Sequence, residues 1–208
     1  MTKNIADICS AVKKIAWGFL FIFININIAS IDILPDWIGY IVIVAVLKNV
    51  IADEDDLRKL RPVGIVLIVW NIVEWILAIF NLGNISGCVA VIPMLFEMYL
   101  IYNLFKYLSV WADKYSCSQQ KSLTLWGAAY VVFALVSTVC GYMSLIFSDV
   151  ATFMIVGFVI LAVGLIVMLG IMITLFSFSR TLKKKSELPM YQTMYQNPDD
   201  NIHMNTNG

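Results

Sequence analysis

Two glutamates inside long apolar stretches are the residues of this chain with the clearest capacity for chemistry. Glu74 and Glu97 each lie well inside an apolar run. Asn71 precedes Glu74 by three residues, which places the two on one helix face. A carboxyl in hydrocarbon must hold a proton, accept hydrogen bonds or pair with a cation, and no Lys or Arg lies at the centre of these runs. Such a pattern is typical of proton or cation coupling.

The depth of the two glutamates predicts that they share a site. Glu74 lies 10 residues before Asn84, and Glu97 lies 13 residues after it. On antiparallel helices joined near Asn84, the two carboxyls would differ in depth by about one helical turn, ~5 Å. If they meet, one holds a proton near neutral pH and the pair titrates as a unit. We predict an intramembrane polar site of Asn25, Asn71, Glu74 and Glu97. Its residues either join helices through a neutral hydrogen-bonded contact or handle an ion or a substrate.

Six apolar stretches must position these residues. A helix needs about 20 residues to cross ~30 Å of hydrocarbon, and the chain is 61% hydrophobic with a mean hydropathy of +0.84. The predicted spans are 15–34, 37–51, 62–80, 88–110, 123–147 and 150–178. We therefore expect an all-α, polytopic transmembrane bundle over residues 1–182. The polar residues 183–208 are expected to form a disordered cytoplasmic tail.

The basic residues predict the orientation of this bundle. All 14 Lys and Arg residues fall near the ends of spans that would face one side of the membrane. The opposite hairpin tips carry only the acids Asp32, Asp36 and Asp149. This is the positive-inside pattern. It predicts a multi-pass plasma-membrane protein with both termini in the cytoplasm.

The first hairpin carries a resemblance to known sequences. An asparagine-punctuated apolar helix leads into Ile33-Leu34-Pro35-Asp36-Trp37-Ile38-Gly39-Tyr40. This stretch resembles the opening hairpin of small multi-spanning membrane proteins of Gram-positive bacteria that have no established activity. The resemblance implies class and location only. Locally, Pro35 and Asp36 suit the first turn of the next helix, where a carboxylate is favoured by the helix dipole.

Other functional classes find little support in the residues. The chain has no GxSxG, HExxH or P-loop motif, so we expect no catalytic residues and no enzyme activity. The chain has a single His, and its four cysteines show no CxxC spacing. We therefore expect no metal site and no cofactor. The basic residues form no stripe for nucleic acid. The expected partners are the lipid bilayer and a small cation or proton, with a protein partner or homo-oligomer left open.

The sequence leaves two candidate functions for the protein. The first is a small transporter-like or ion-coupled membrane protein that uses the intramembrane polar site. The second is a non-transporting accessory, immunity or sensory membrane subunit that acts through protein–protein contacts. In the second case the polar residues only hold helices together.

The orientation can be tested by labelling single cysteines in intact cells. Cysteines placed at Asp36, Asn84 and Asp149 should react with a membrane-impermeant maleimide added outside, because these tips carry no basic residue. A cysteine at Lys3 or Asp55 should react only after the membrane is permeabilised, as should the native Cys117. Protection of the Asn84 position from outside reagent would overturn the orientation.

Overall fold

Helices make up nearly all the secondary structure that the computed structural model describes, which covers residues 5–23, 27–28, 31–32, 35–49, 55–80, 87–144 and 150–188. The elements are α1 (Ile5–Phe23), β1 (Asn27–Ile28), β2 (Ile31–Asp32), α2 (Trp37–Asn49), α3 (Asp55–Arg58), α4 (Leu60–Ile79), α5 (Gly87–Lys114), α6 (Gln120–Ser144) and α7 (Val150–Ser186). The all-helical class predicted from the sequence is confirmed, with one two-residue strand pair added. Most of the predicted tail, residues 189–208, lies outside the described residues.

Three of the described helical stretches are long and apolar enough to cross a membrane. They are Leu60–Ile79, Gln120–Met143 and Met154–Ser186, and the shorter Trp37–Lys48 is also apolar. Most of their large apolar side chains are exposed on the protein surface; Phe158, for example, is 72% exposed. A water-soluble monomer rarely shows so large an apolar surface. The helices therefore indicate association with a membrane.

The first predicted span, 15–34, does not form a single helix. α1 begins at Ile5 and ends at Phe23, and two short antiparallel strands follow, with Asn27 opposite Asp32. The helix begins early because apolar residues recur at helical spacing from Ile5 onward and are buried on one face. The next described element is β1, which begins at Asn27.

The six longer helices form a closed ring. Each of them packs against the next one along the chain, and α1 packs against α7. The α1–α7 contact includes the rings of Trp17 and Phe176, which meet edge to face with centroids 6.1 Å apart, and a hydrogen bond from Cys9 Sγ to the Ser179 carbonyl of 3.2 Å. Phe19 of α1 also reaches Phe105 of α5, with ring centroids 5.5 Å apart. α1 therefore lines the interior as well as closing the ring.

The core lies toward one end of four of the longer helices. On α4, α5, α6 and α7 the buried side chains lie toward the end that carries basic residues, whereas α1 and α2 are buried along most of their described length. On these four helices the buried region extends as far as Leu67 on α4, Met98 on α5, Tyr130 on α6 and Val167 on α7. Beyond these residues most large apolar side chains are exposed. Each of these four helices thus has a packed part and an open part, and Met98 and Tyr130 lie where the two parts meet on α5 and α6.

Two glycines allow α1 and α2 to approach closely. A Cβ atom on Gly39 would clash with the Gly18 carbonyl oxygen and would lie 2.5 Å from Ile22 Cγ1. A Cβ on Gly18 would lie 3.0 Å from the Gly39 carbonyl oxygen. Backbone atoms cannot move aside as a side chain can. The two helices are therefore in backbone contact, as small residues permit between helices in a bilayer.

The turn between α5 and α6 is fastened to the end of α7. Ser116 has a left-handed φ of 50°, and Cys117 N–H donates to the Ala112 carbonyl at 2.7 Å, which closes the end of α5. Lys185 Nζ donates to the carbonyls of Tyr115 (2.5 Å) and Ser116 (3.2 Å). Burial raises the pKa of the Cys117 thiol, and the nearby Lys185 ammonium partly offsets that rise.

Replacing Gly39 by Ala should destabilise the protein by about 1–3 kcal/mol, because the added methyl group overpacks a contact between two backbones. The measurement is thermal unfolding in detergent. Gly157→Ala is the matched control, since a Cβ there meets nothing within 4 Å. Equal stability of both variants would show that α1 and α2 do not touch at Gly39.

The alkylation of Cys117 should report its raised pKa. In a variant whose other cysteines are serines, the pH midpoint of the alkylation rate should lie higher in the folded than in the unfolded protein, because only the thiolate reacts. Lys185→Met should raise the midpoint further, because the ammonium that favours the thiolate is lost. Lys184→Met, at an exposed neighbouring position, should leave it unchanged. A midpoint that falls in Lys185→Met would contradict this electrostatic role.

Candidate functional site

Glu97 is the centre of a polar cluster between helices. Its Oε1 atom accepts a hydrogen bond of 2.5 Å from the Tyr130 hydroxyl, which belongs to α6. The Tyr40 hydroxyl of α2 also hydrogen-bonds to the Glu97 carboxyl. Two hydroxyl donors from two different helices thus converge on one carboxyl of α5.

The helices hold these side chains through specific contacts. Tyr40 directly follows Gly39, so the close approach of α1 and α2 fixes the position of its ring. Tyr130 packs against Phe23, the last residue of α1, with ring centroids 6.0 Å apart. Both tyrosines are buried, at 2% and 7% exposure. Because both rings are enclosed, their hydroxyls cannot turn freely away from Glu97.

A second carboxyl lies within electrostatic range of the cluster. Asp36, in the turn that precedes α2, interacts electrostatically with both tyrosine hydroxyls. No Lys or Arg is present between Lys14 and Lys48, between Arg61 and Lys106, or between Lys121 and Arg180. The cluster therefore combines two carboxyls and two phenols, and its helices supply no basic residue at this level.

The predicted site residues are only partly represented in this cluster. Glu97 belongs to it, whereas Glu74 lies on an exposed part of the α4 surface. Glu97 pairs with tyrosines rather than with Glu74. Asn71 donates from Nδ2 to the Leu67 carbonyl of its own helix at 2.8 Å. Asn25 lies outside the described residues.

Sequence reasoning missed Tyr40, Tyr130 and the contribution of Asp36. Tyr40 and Asp36 both lie in the stretch from residue 33 to 40, where Asp36 is predicted from the sequence to cap a helix at a hairpin tip. Tyr130 stands in a long apolar run of α6. A tyrosine there is compatible with simple packing, so no local signal marks it as a partner of a carboxyl. Only the tertiary arrangement identifies it.

α5 and α6 are joined by further polar contacts away from Glu97. The hydroxyls of Ser109 and Thr124 lie 2.9 Å apart. At the other side of the cluster, the Thr138 hydroxyl lies 2.7 Å from Met94 Sδ. The pairing of these two helices therefore does not depend on Glu97 alone.

A cavity of about 320 Å³ adjoins the cluster. The Tyr130 ring forms part of its wall, together with Phe23, Phe133 and apolar residues of α7. Tyr130 thus contacts both the cavity and the Glu97 carboxyl. The size is within the range of sites for small organic molecules.

The arrangement suits the uptake and release of a positive charge. A carboxyl that accepts hydrogen bonds from two phenols and has no basic neighbour can be neutralised by a proton or by a small cation. Among the described residues no group of three His, Cys, Asp or Glu side chains is placed to hold a metal ion. No family model, curated protein or solved structure matches the chain.

Proposed function

We propose that the chain crosses the plasma membrane six times, with both termini in the cytoplasm. The helix ends that carry Lys and Arg alternate along the chain, as they do when successive helices are antiparallel and the basic ends face one side. α2 has 13 residues and covers about 20 Å, less than the hydrocarbon thickness. Among the described residues that precede α2, β2 packs against α4.

Within that topology, the protein acts as a small ion-coupled or transporter-like membrane protein. Glu97 binds and releases a proton, or a small cation in its place. The observation that carries this proposal is the hydrogen bonding of Glu97 to Tyr130 and Tyr40 in a region without basic residues. Two further features support it. α1 ends at the same level, as interrupted helices do at many transport sites, and the cluster adjoins a cavity.

A structural role for Glu97 in a non-transporting accessory, immunity or sensory subunit is the second candidate. The observation that favours it is that the Glu97 cluster ties α2, α5 and α6 together. Interhelical hydrogen bonds in bilayers contribute only about 0.6–2 kcal/mol each. The separate polar contacts of α5 with α6 already join those two helices. The Glu97 carboxyl is thus not required to join α5 to α6, which favours ion exchange as the proposal.

Infrared difference spectroscopy across a pH titration tests the proposal without knowledge of a substrate. The wild-type protein in lipid should show a carbonyl-stretch band of a protonated carboxyl that disappears as the pH rises. Glu97→Gln should remove this band, because the amide keeps shape and hydrogen bonding but has no titratable proton. Tyr130→Phe should shift its frequency, because one hydrogen bond to the carboxyl is lost.

Glu74→Gln is the matched control, since Glu74 is a glutamate at an exposed position on the neighbouring helix. It should leave in place the band that Glu97→Gln removes. All variants must first elute as the wild type does in gel filtration and retain cooperative unfolding. A folded Glu97→Gln protein whose spectrum titrates like the wild type would refute proton exchange at Glu97.

A further inference from the structure

The cavity beside Tyr130 has an opening toward the surface of the bundle. Gly164 lies in its wall, and a Cβ there would lie 2.8 Å from Phe133 Cζ, so the glycine makes room for that ring. Leu161 and Leu165, which also line the cavity, are 62% and 51% exposed on the apolar surface of α7. A ligand could therefore enter sideways from the hydrocarbon.

The dipolar and ionisable groups near the cavity favour a cation over an anion. α1 ends at Phe23, so the negative end of its helix dipole faces the cavity wall. Glu97 is hydrogen-bonded to Tyr130, which lines the cavity. The sequence has no Lys or Arg close to Phe23, to Tyr130 or to residues 160–168, which line the cavity. Positive charge in the cavity would consequently be stabilised.

Three aromatic rings line the same space: those of Phe23, Tyr130 and Phe133. The faces of such rings attract organic cations, and the attraction increases where water is excluded. A substituted ammonium group with an apolar body satisfies both features of the cavity, because its charge meets the ring faces and its body meets the aliphatic residues of α7. A lipid acyl chain would pack against the aliphatic wall and the rings but would gain no electrostatic attraction from the ring faces or from Glu97.

We infer that the cavity binds an organic cation with an apolar body, such as an aryl or alkyl ammonium ion, which reaches it from the bilayer. When the cation binds, the Glu97 carboxylic acid releases its proton and remains as the carboxylate that balances the new charge. When the proton returns, the cation leaves. The inference rests on the proposed proton exchange at Glu97 and names the class of substrate.

Two isosteric probes separate charge from shape. Phenyltrimethylammonium and tert-butylbenzene have the same outline, but only the first carries a charge. Binding is measured by isothermal titration calorimetry with the full-length protein in lipid nanodiscs, and empty nanodiscs are subtracted. We expect the cation to bind about tenfold or more tightly than its neutral isostere. Equal binding of both probes would mean an apolar pocket for lipid chains and would overturn the inference.

Three single-residue variants test whether the cation binds in this cavity. Glu97→Gln should weaken binding of phenyltrimethylammonium by about tenfold, an effect of the lost carboxylate charge. Gly164→Ala should also weaken it, because the new methyl group pushes the Phe133 ring into the cavity. Gly157→Ala on the same helix, where a Cβ meets nothing within 4 Å, should bind as the wild type does. Unchanged affinity in folded Glu97→Gln would overturn the role of the carboxylate.

Proton release on binding distinguishes this inference from the proposed function. In weakly buffered solution containing a pH indicator, addition of phenyltrimethylammonium should release protons from the wild type and none from Glu97→Gln. Cation binding without proton release would keep the site but refute the coupling. A titrating Glu97 band in the infrared spectrum, together with failure to bind the cation, would refute the substrate class and leave proton exchange in place.

Discussion

The rest of the structure depends on the backbone contact between α1 and α2. Helices in hydrocarbon gain little from apolar burial, so they associate through close packing and hydrogen bonds. Gly18 and Gly39 provide such packing, since neither position tolerates a Cβ beside the facing backbone. The contact fixes the rotation of α2 and therefore the direction of the next side chain, Tyr40. A wider spacing would move the Tyr40 hydroxyl away from Glu97.

The sequence predicted the positions of the long helices well and the first span poorly. Four of the predicted spans begin within three residues of α4, α5, α6 and α7, because hydrophobic length is a direct consequence of bilayer thickness. The first span failed because a count of apolar residues ignores their period. Residues 5–22 repeat at helical spacing, whereas the next described element after α1 is the strand β1, which begins at Asn27.

The candidate site shows a different limit of sequence reasoning. Glu97 was recognisable because a lone carboxyl in an apolar span is costly and must be compensated. Its partners were not recognisable, because depth along the membrane normal does not determine which way a side chain faces around the helix axis. Glu74 shares the predicted depth but occupies an exposed part of α4, while Tyr40 and Tyr130 face Glu97. Those rotations are set by tertiary packing, which local sequence patterns do not contain.

The location of Glu97 at the boundary between the packed and open parts of α5 connects its chemistry to the fold. Deeper in the core, at the level of Leu100 or Leu104, a carboxyl would be enclosed on all sides and could not exchange a proton. In the open part it would face lipid with no donor to receive it. At the boundary, two phenols can stabilise the negative charge of the Glu97 carboxylate. One of them, Tyr130, also lines the cavity. The same tyrosine thus satisfies the carboxyl and contacts any occupant of the cavity. A ligand that displaces the Tyr130 ring must disturb the hydrogen bond to Glu97, and this physical link is what coupling between a proton and a second cation requires.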